Sequence, residues 1–100
     1  MSFQFTSQKA LLAFETLGVG PVLASATTIA PDFPVQHVSG TTTIETITPP
    51  AGFQAGQSIV LIPDGLWATG VTGNIALAST AVVDKALILT YDGTKFYPSY

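Results

Sequence analysis

From residue 35 to the C-terminus, short β-branched and aromatic runs alternate with turn-forming residues at a spacing too tight for helices. The runs are 35–39, 42–48, 58–62, 74–78, 86–91 and 95–97. Their Val, Ile, Thr, Tyr and Phe suit a pleated, half-buried backbone. Between them lie Ser39-Gly40, Pro49-Pro50-Ala51-Gly52, Pro63-Asp64-Gly65, Thr72-Gly73 and Asp92-Gly93, where Gly supplies left-handed backbone and Pro interrupts a ladder. A mainly β body over residues 35–100 is therefore predicted. Ile59-Val60-Leu61-Ile62 is apolar on both faces, so this central strand needs cover from two sides. A body of this size has little material for that, and neighbouring chains are expected to supply it.

Residues 1–34 lack a sustained period and form an N-terminal arm in this reading. Ser2-Phe3-Gln4-Phe5-Thr6 alternates like a short strand. Ser7 is placed to cap one short helix running to Leu17, with Ala10, Leu11, Phe14 and Leu17 on one side and Gly18 as its stop. Beyond it, Pro21, Pro31 and Pro34 favour extended backbone. Lys9, the apolar stretch 10–14 and the small residues 24–26 outline a secretion signal, but Glu15 interrupts the apolar part; an uncleaved segment is the expectation. Phe3, Phe5, Leu11, Leu12 and Phe14 are poor linker material, which points to an arm that grips a neighbour.

Charge narrows the function. The chain has three Lys, no Arg, six acidic residues and one His, so 9% of it is charged against roughly 25% in ordinary soluble domains. With 47% hydrophobic residues, a small monomer has too few charged groups to cover its surface, and some apolar area should be buried against another chain. A net charge of −3 and the absence of a basic patch argue against nucleic-acid binding, which relies on Lys and Arg meeting phosphates. No segment reaches the roughly 20 apolar residues of a membrane span. Lack of cysteine removes disulfides, thiolate metal sites and thiol nucleophiles, leaving oligomerisation as the means to stabilise so small a body.

Groups that could carry chemistry are few. His37 is the sole histidine, and a strand histidine satisfied by its surroundings explains it more simply than a metal or catalytic role. Paired carboxylates for glycoside cleavage would have to come from Glu45, Asp64, Asp84 or Asp92, most of them in or beside turns. Asp64-Gly65 and Asp92-Gly93 read as hairpin turns. Gly70-Val71-Thr72-Gly73 lacks the Lys and the following helix of a phosphate loop. No enzyme activity, cofactor or metal is expected. Phe53, Trp67, Tyr91, Phe96, Tyr97 and Tyr100 are either packing anchors or a glycan-stacking face, and packing is favoured.

Four blocks carry a family resemblance: 38–50, with Val38-Ser39-Gly40-Thr41-Thr42-Thr43-Ile44; 56–63, with Gly56-Gln57-Ser58-Ile59-Val60-Leu61-Ile62-Pro63; Thr72-Gly73-Asn74-Ile75-Ala76-Leu77-Ala78; and Ala86-Leu87-Ile88-Leu89-Thr90-Tyr91-Asp92-Gly93-Thr94-Lys95-Phe96-Tyr97. In this order they resemble a module of bacteriophage structural proteins found in tail-fibre or spike tips and in capsid decoration (cement) proteins. Phe96 stands where many such modules carry Trp. The resemblance implies a small intertwined β-sandwich or β-tripod-like body in a homotrimer, located on the capsid exterior of the virion. Its implied partners are further copies of itself and the major capsid protein, and the short arm before the module favours decoration over a fibre tip. Ile59, Leu61, Ile75, Leu77, Leu87, Leu89 and Phe96 are then expected to pack the trimer, and Phe3, Phe5, Leu11, Leu12 and Phe14 to bind the capsid. The alternative is a tail tip that recognises host surface glycans.

Overall fold

Alternation of inward and outward side chains along β3 (Val35–Ser39) organises the sheet around it. Gln36 and Val38 are fully buried while Val35, His37 and Ser39 face outward, the period-two pattern of a strand covered on one side. The computed structural model describes residues 18–100. They form a mainly β, compact unit without helices, and the helix expected over residues 7–17 lies outside the described residues. β1 (Leu23–Ala24), β3, β5 (Ser58–Pro63), β8 (Leu87–Tyr91) and β9 (Phe96–Pro98) make one mixed sheet in the order β1-β3-β5-β8-β9. Two small ribbons complete the fold: β2 (Thr28–Ile29) with β4 (Thr46–Ile47), and β6 (Ala68–Thr69) with β7 (Ser79–Thr80).

The chain reaches this arrangement by winding. It passes through the large sheet at β1 and crosses to the ribbon at β2, then repeats the circuit through β3 and β4. Parallel registers of Leu23↔Val38 and Thr28↔Thr46 stack the second circuit on the first. A third begins at β5, parallel to β3 with Val35↔Val60, and continues to Thr69, which bridges Ile44 in parallel. Where a third ribbon strand would follow, the Asn74 side chain substitutes for one. Its Oδ1 accepts from Ile47 N at 2.8 Å and its Nδ2 donates to Ile47 O at 2.7 Å. Residues 18–34, read as arm, thus supply β1 and β2 to the same unit as the body.

β8 and β9 close the stack in antiparallel fashion, with Ile59↔Leu89 and Tyr91↔Phe96 in register. Asp92-Gly93 turns between them as expected, Gly93 adopting φ 98° and Asp92 N donating to Lys95 O. Asp64-Gly65 is not a hairpin: the chain leaves the large sheet there for β6, and a Cβ on Gly65 would overlap the Gly40 backbone. The free rim of β9 is shielded, since Phe96 N donates to Asn74 O and Phe96 O accepts from Ala76 N. Pro98 has no N–H to offer beyond that point.

One core serves all three sheets. It holds Ile29, Val38, Ile44, Ile47, Ile59, Leu61, Trp67, Ile75, Ala81, Leu87, Leu89 and Phe96. Trp67 is wholly buried, and its indole Nε1 donates to Val38 O at 3.0 Å. Gln36, equally buried, accepts from Asp32 N at 2.9 Å and from Phe33 N at 3.3 Å and donates to Pro21 O at 2.8 Å. That amide ties the first circuit to β3, and its hydrogen bonds offset the cost of burying it.

Candidate functional site

The expected packing residues fall mostly inside the unit. Ile59, Leu61, Ile75, Leu87, Leu89 and Phe96 are buried in the core of one copy, whereas Leu77 is 53% exposed. These six side chains lie in the interior of a single chain, in the cluster that also holds Ile29 of β2 and Ile47 of β4. Leu77 alone of the seven is presented outward. The arm residues Phe3, Phe5, Leu11, Leu12 and Phe14 lie outside the described residues.

What the strands do present outward is a broad, nearly uncharged sheet face. Register aligns Val19, Val35, Val60 and Ile88 in one row across four neighbouring segments. Ile88 is 44% exposed, and Val35 and Val60 are half-buried. Beside this row, His37 neighbours Ile62. On its other side Thr90 aligns with Ser58 and with exposed Tyr97, and the two hydroxyls of Ser58 and Thr90 lie 3.1 Å apart. The outward residues Val60, Ile62 and Ile88 escaped the sequence-based choice of packing residues. Their signal was the double-sided run 59–62, whose alternate members point away from the core.

Titratable groups are spread along the described residues, with His37 on β3 and the carboxylates in loops between strands. His37 Nδ1 lies 2.7 Å from Asp64 Oδ1, with both side chains partly exposed. Glu45 Oε1 accepts from Thr72 N at 3.1 Å and Thr72 Oγ1 at 2.8 Å, clasping the loop at 70–73. Asp84 sits in the left-handed region with φ 69°. Among the described residues, no group of three or more His, Asp or Glu side chains is placed to hold a metal ion, and no helix is long and apolar enough to cross a membrane.

Aromatic residues divide between packing and surface. Phe53, Tyr91 and Phe96 form a cluster with ring centroids 4.6 to 6.0 Å apart. Lys85 Nζ lies 4.5 Å over the Tyr100 ring, whose hydroxyl donates to Lys85 O. Trp67 belongs to the core and is not available as a stacking platform. Tyr97 remains outward, and its hydroxyl donates to Asp92 Oδ2 at 3.0 Å.

Asp92 is the most strongly engaged carboxylate of the surface. Its Oδ1 accepts from Lys95 N at 2.7 Å and Thr94 N at 2.8 Å. Those two backbone bonds, followed by the Tyr97 hydroxyl, hold its pKa below the usual 3.8, while hydrogen bonding to Asp92 raises that of Tyr97 above 10.0. A lowered folded pKa on Asp92 gives stabilisation that is present above the unfolded value and lost as pH falls through the folded one. A raised folded pKa on Tyr97 gives stabilisation that is complete below 10.0 and lost as pH rises beyond it. The turn should therefore be tightest between these limits. NMR titration should place the Asp92 midpoint below 3.8, and Asp92→Asn should move the Tyr97 midpoint down towards 10.0; a Tyr97 midpoint indifferent to that substitution would refute the coupling. Comparison with protein-family models, curated proteins and solved structures finds no match for this chain.

Proposed function

We propose that the chain is a structural subunit of a bacteriophage particle, a capsid decoration (cement) protein that acts as a homotrimer on the assembled major capsid lattice. The observation that carries this reading is the pairing of a self-contained β core with a wide outward sheet face that is poor in charge. Such a surface suits lasting protein contact, and the carboxylates of the described residues lie apart in separate loops. The resemblance of 38–50, 56–63, 72–78 and 86–97 to phage modules supplies the particle context. In this mechanism the work is mechanical: trimers sit between capsid subunits, and Phe3, Phe5, Leu11, Leu12 and Phe14 clamp adjacent ones. Stabilisation comes from apolar burial repeated over many copies.

The alternative, a tail tip that grips glycans, loses its strongest stacking candidate because Trp67 is buried. Copy number in purified virions separates the two, as a lattice protein is present in far greater number than a tail component. Deleting residues 1–17 should weaken binding to capsids stripped of the protein by about 100-fold, the scale at which multivalent attachment is lost. Sedimentation of truncated protein with such capsids at undiminished affinity would rule out the clamp.

A further inference from the structure

We propose that residues 18–31 are a strap that undocks from the rest of the fold as one unit, swinging on the turn at 32–34. Within the strap lie β1 and β2, each two residues long, β1 at the end of the large sheet beside β3 and β2 paired with β4. Strands so short hold through what they pack against rather than by themselves. Of the core residues, Ile29 alone belongs to the strap, and Leu23 and Ala26 pack against the core while only partly buried. Val19 and Val22 are 63% and 60% exposed. Every other core side chain comes from Val38 or later, so the remainder keeps its interior when the strap leaves. Segments with few buried apolar contacts open at lower free energy than the whole, in contiguous cooperative units.

The attachments are largely polar. Gly20 N donates to Val35 O, Ser25 N to Ser39 O, Glu45 N and Thr46 N to Thr27 O, and Thr48 N to Ile29 O. Once the strap lifts, these groups meet water, which replaces the bonds at small net cost. Gln36 supplies both latch and pivot. Its Nε2 donates to Pro21 O on the strap, whereas its Oε1 accepts from Asp32 N and Phe33 N in the turn. Release of the first bond leaves the other two to fix the turn. Gly20 lets the strap lie close, since a Cβ there would overlap the Phe33 ring and crowd Gln36 Nε2.

Opening changes how far the chain can reach. Extended at about 3.3 Å per residue, the strap adds roughly 45 Å to the segment before it. This use of the strap rests on the particle reading above: residues 1–17 and 18–31 then act as one arm, and capsid subunits beyond the span of the docked form come within reach.

Native-state hydrogen exchange of the full chain tests the unit. The amides of Gly20, Ser25, Glu45, Thr46 and Thr48 should exchange through one shared opening, about 100-fold faster than those of Ile44, Ala81 and Tyr91, which are bonded within the remainder. Ile44 and Glu45 make the sharpest pair, because these neighbours donate to Ala68 O and to Thr27 O. Gly20→Ala should speed the first group several-fold and leave the second unchanged. A lock supplies the converse. The chain has no cysteine, and Ala24 and Ser39 are partners on adjacent strands, so Ala24→Cys with Ser39→Cys places a single disulfide across the joint. Oxidation of that variant should slow the first group about 10-fold or more relative to its reduced form. One common rate for both groups in the wild type would overturn the proposal, as would strap amides that exchange equally fast in the oxidised and reduced variant. Binding to stripped capsids tests the arm: the oxidised form should bind less tightly than the reduced form, and equal affinity would overturn the added reach. A variant that ignores capsids in both forms removes the particle reading alone, and the exchange rates still decide the strap.

Discussion

Trp67→Ala is expected to leave the body unfolded or close to it at room temperature. The indole is fully buried, and its N–H donates to Val38 O, which also accepts from Asp64 N. Truncating a buried Trp costs about 3–5 kcal/mol through lost burial and the cavity left behind. Small domains possess about 5–15 kcal/mol in total, so the loss takes most of the reserve. Urea titration followed by far-UV circular dichroism measures it, and Trp67→Phe should retain much of the stability by keeping an aromatic ring in the space. An alanine variant with the wild-type midpoint would show that Trp67 is not a core residue, and would return it to the glycan-stacking candidates.

Gln36→Leu should have the next largest effect, about 1–3 kcal/mol, because it removes the three hydrogen bonds that the buried amide makes to the backbone. Leucine matches the volume but abandons Asp32 N, Phe33 N and Pro21 O together. The damage should be regional before it is global. These partners belong to the first circuit, so β1 and β2 should detach from β3 and β4 while β5, β8 and β9 hold. Hydrogen exchange would register this as faster exchange at Ser25 N, which donates to Ser39 O, with little change at Tyr91 N, which donates to Gln57 O. Uniform acceleration across both regions, or none, would contradict the proposed role of Gln36 as a tie.

The longer strands were legible because two independent signals coincide in them. Residues 35–39 and 58–62 are β-branched runs closed by Gly or Pro, and β3 and β5 occupy them almost residue for residue. The run 42–48 contracts to β4 because its residues divide their backbone between partners, Ile44 bridging Thr69 and Thr46 pairing with Thr28. In 74–78, the Asn74 side chain enters the ladder where a main chain was expected, leaving only the Ile75↔Phe96 bridge. β1, β2, β6 and β7 were not visible at all. Each is two residues long and rich in Ala, Ser or Thr, and partners distant in sequence define it. Parallel winding was equally hidden, since periodicity records which side of a strand is buried but not what lies beside it.

The same limit explains the candidate site. Sequence alternation marks Ile59, Leu61, Leu87 and Leu89 as a shared side, and they do share one. Whether that side meets its own chain or a neighbour depends on the two ribbons folding over it, and those are the elements the sequence conceals. Once the ribbons are in place, the reverse side with Val60 and Ile88 is the outward one.

Blocked rims have a consequence for crowding. Bare strand margins invite further strands, and proteins gathered at high density are then prone to knit into ribbons. Here one margin is occupied by 74–76 and ends at a proline, while the other, β1, is two residues long. Copies of such a chain brought to high density would have little opportunity to zip along their borders.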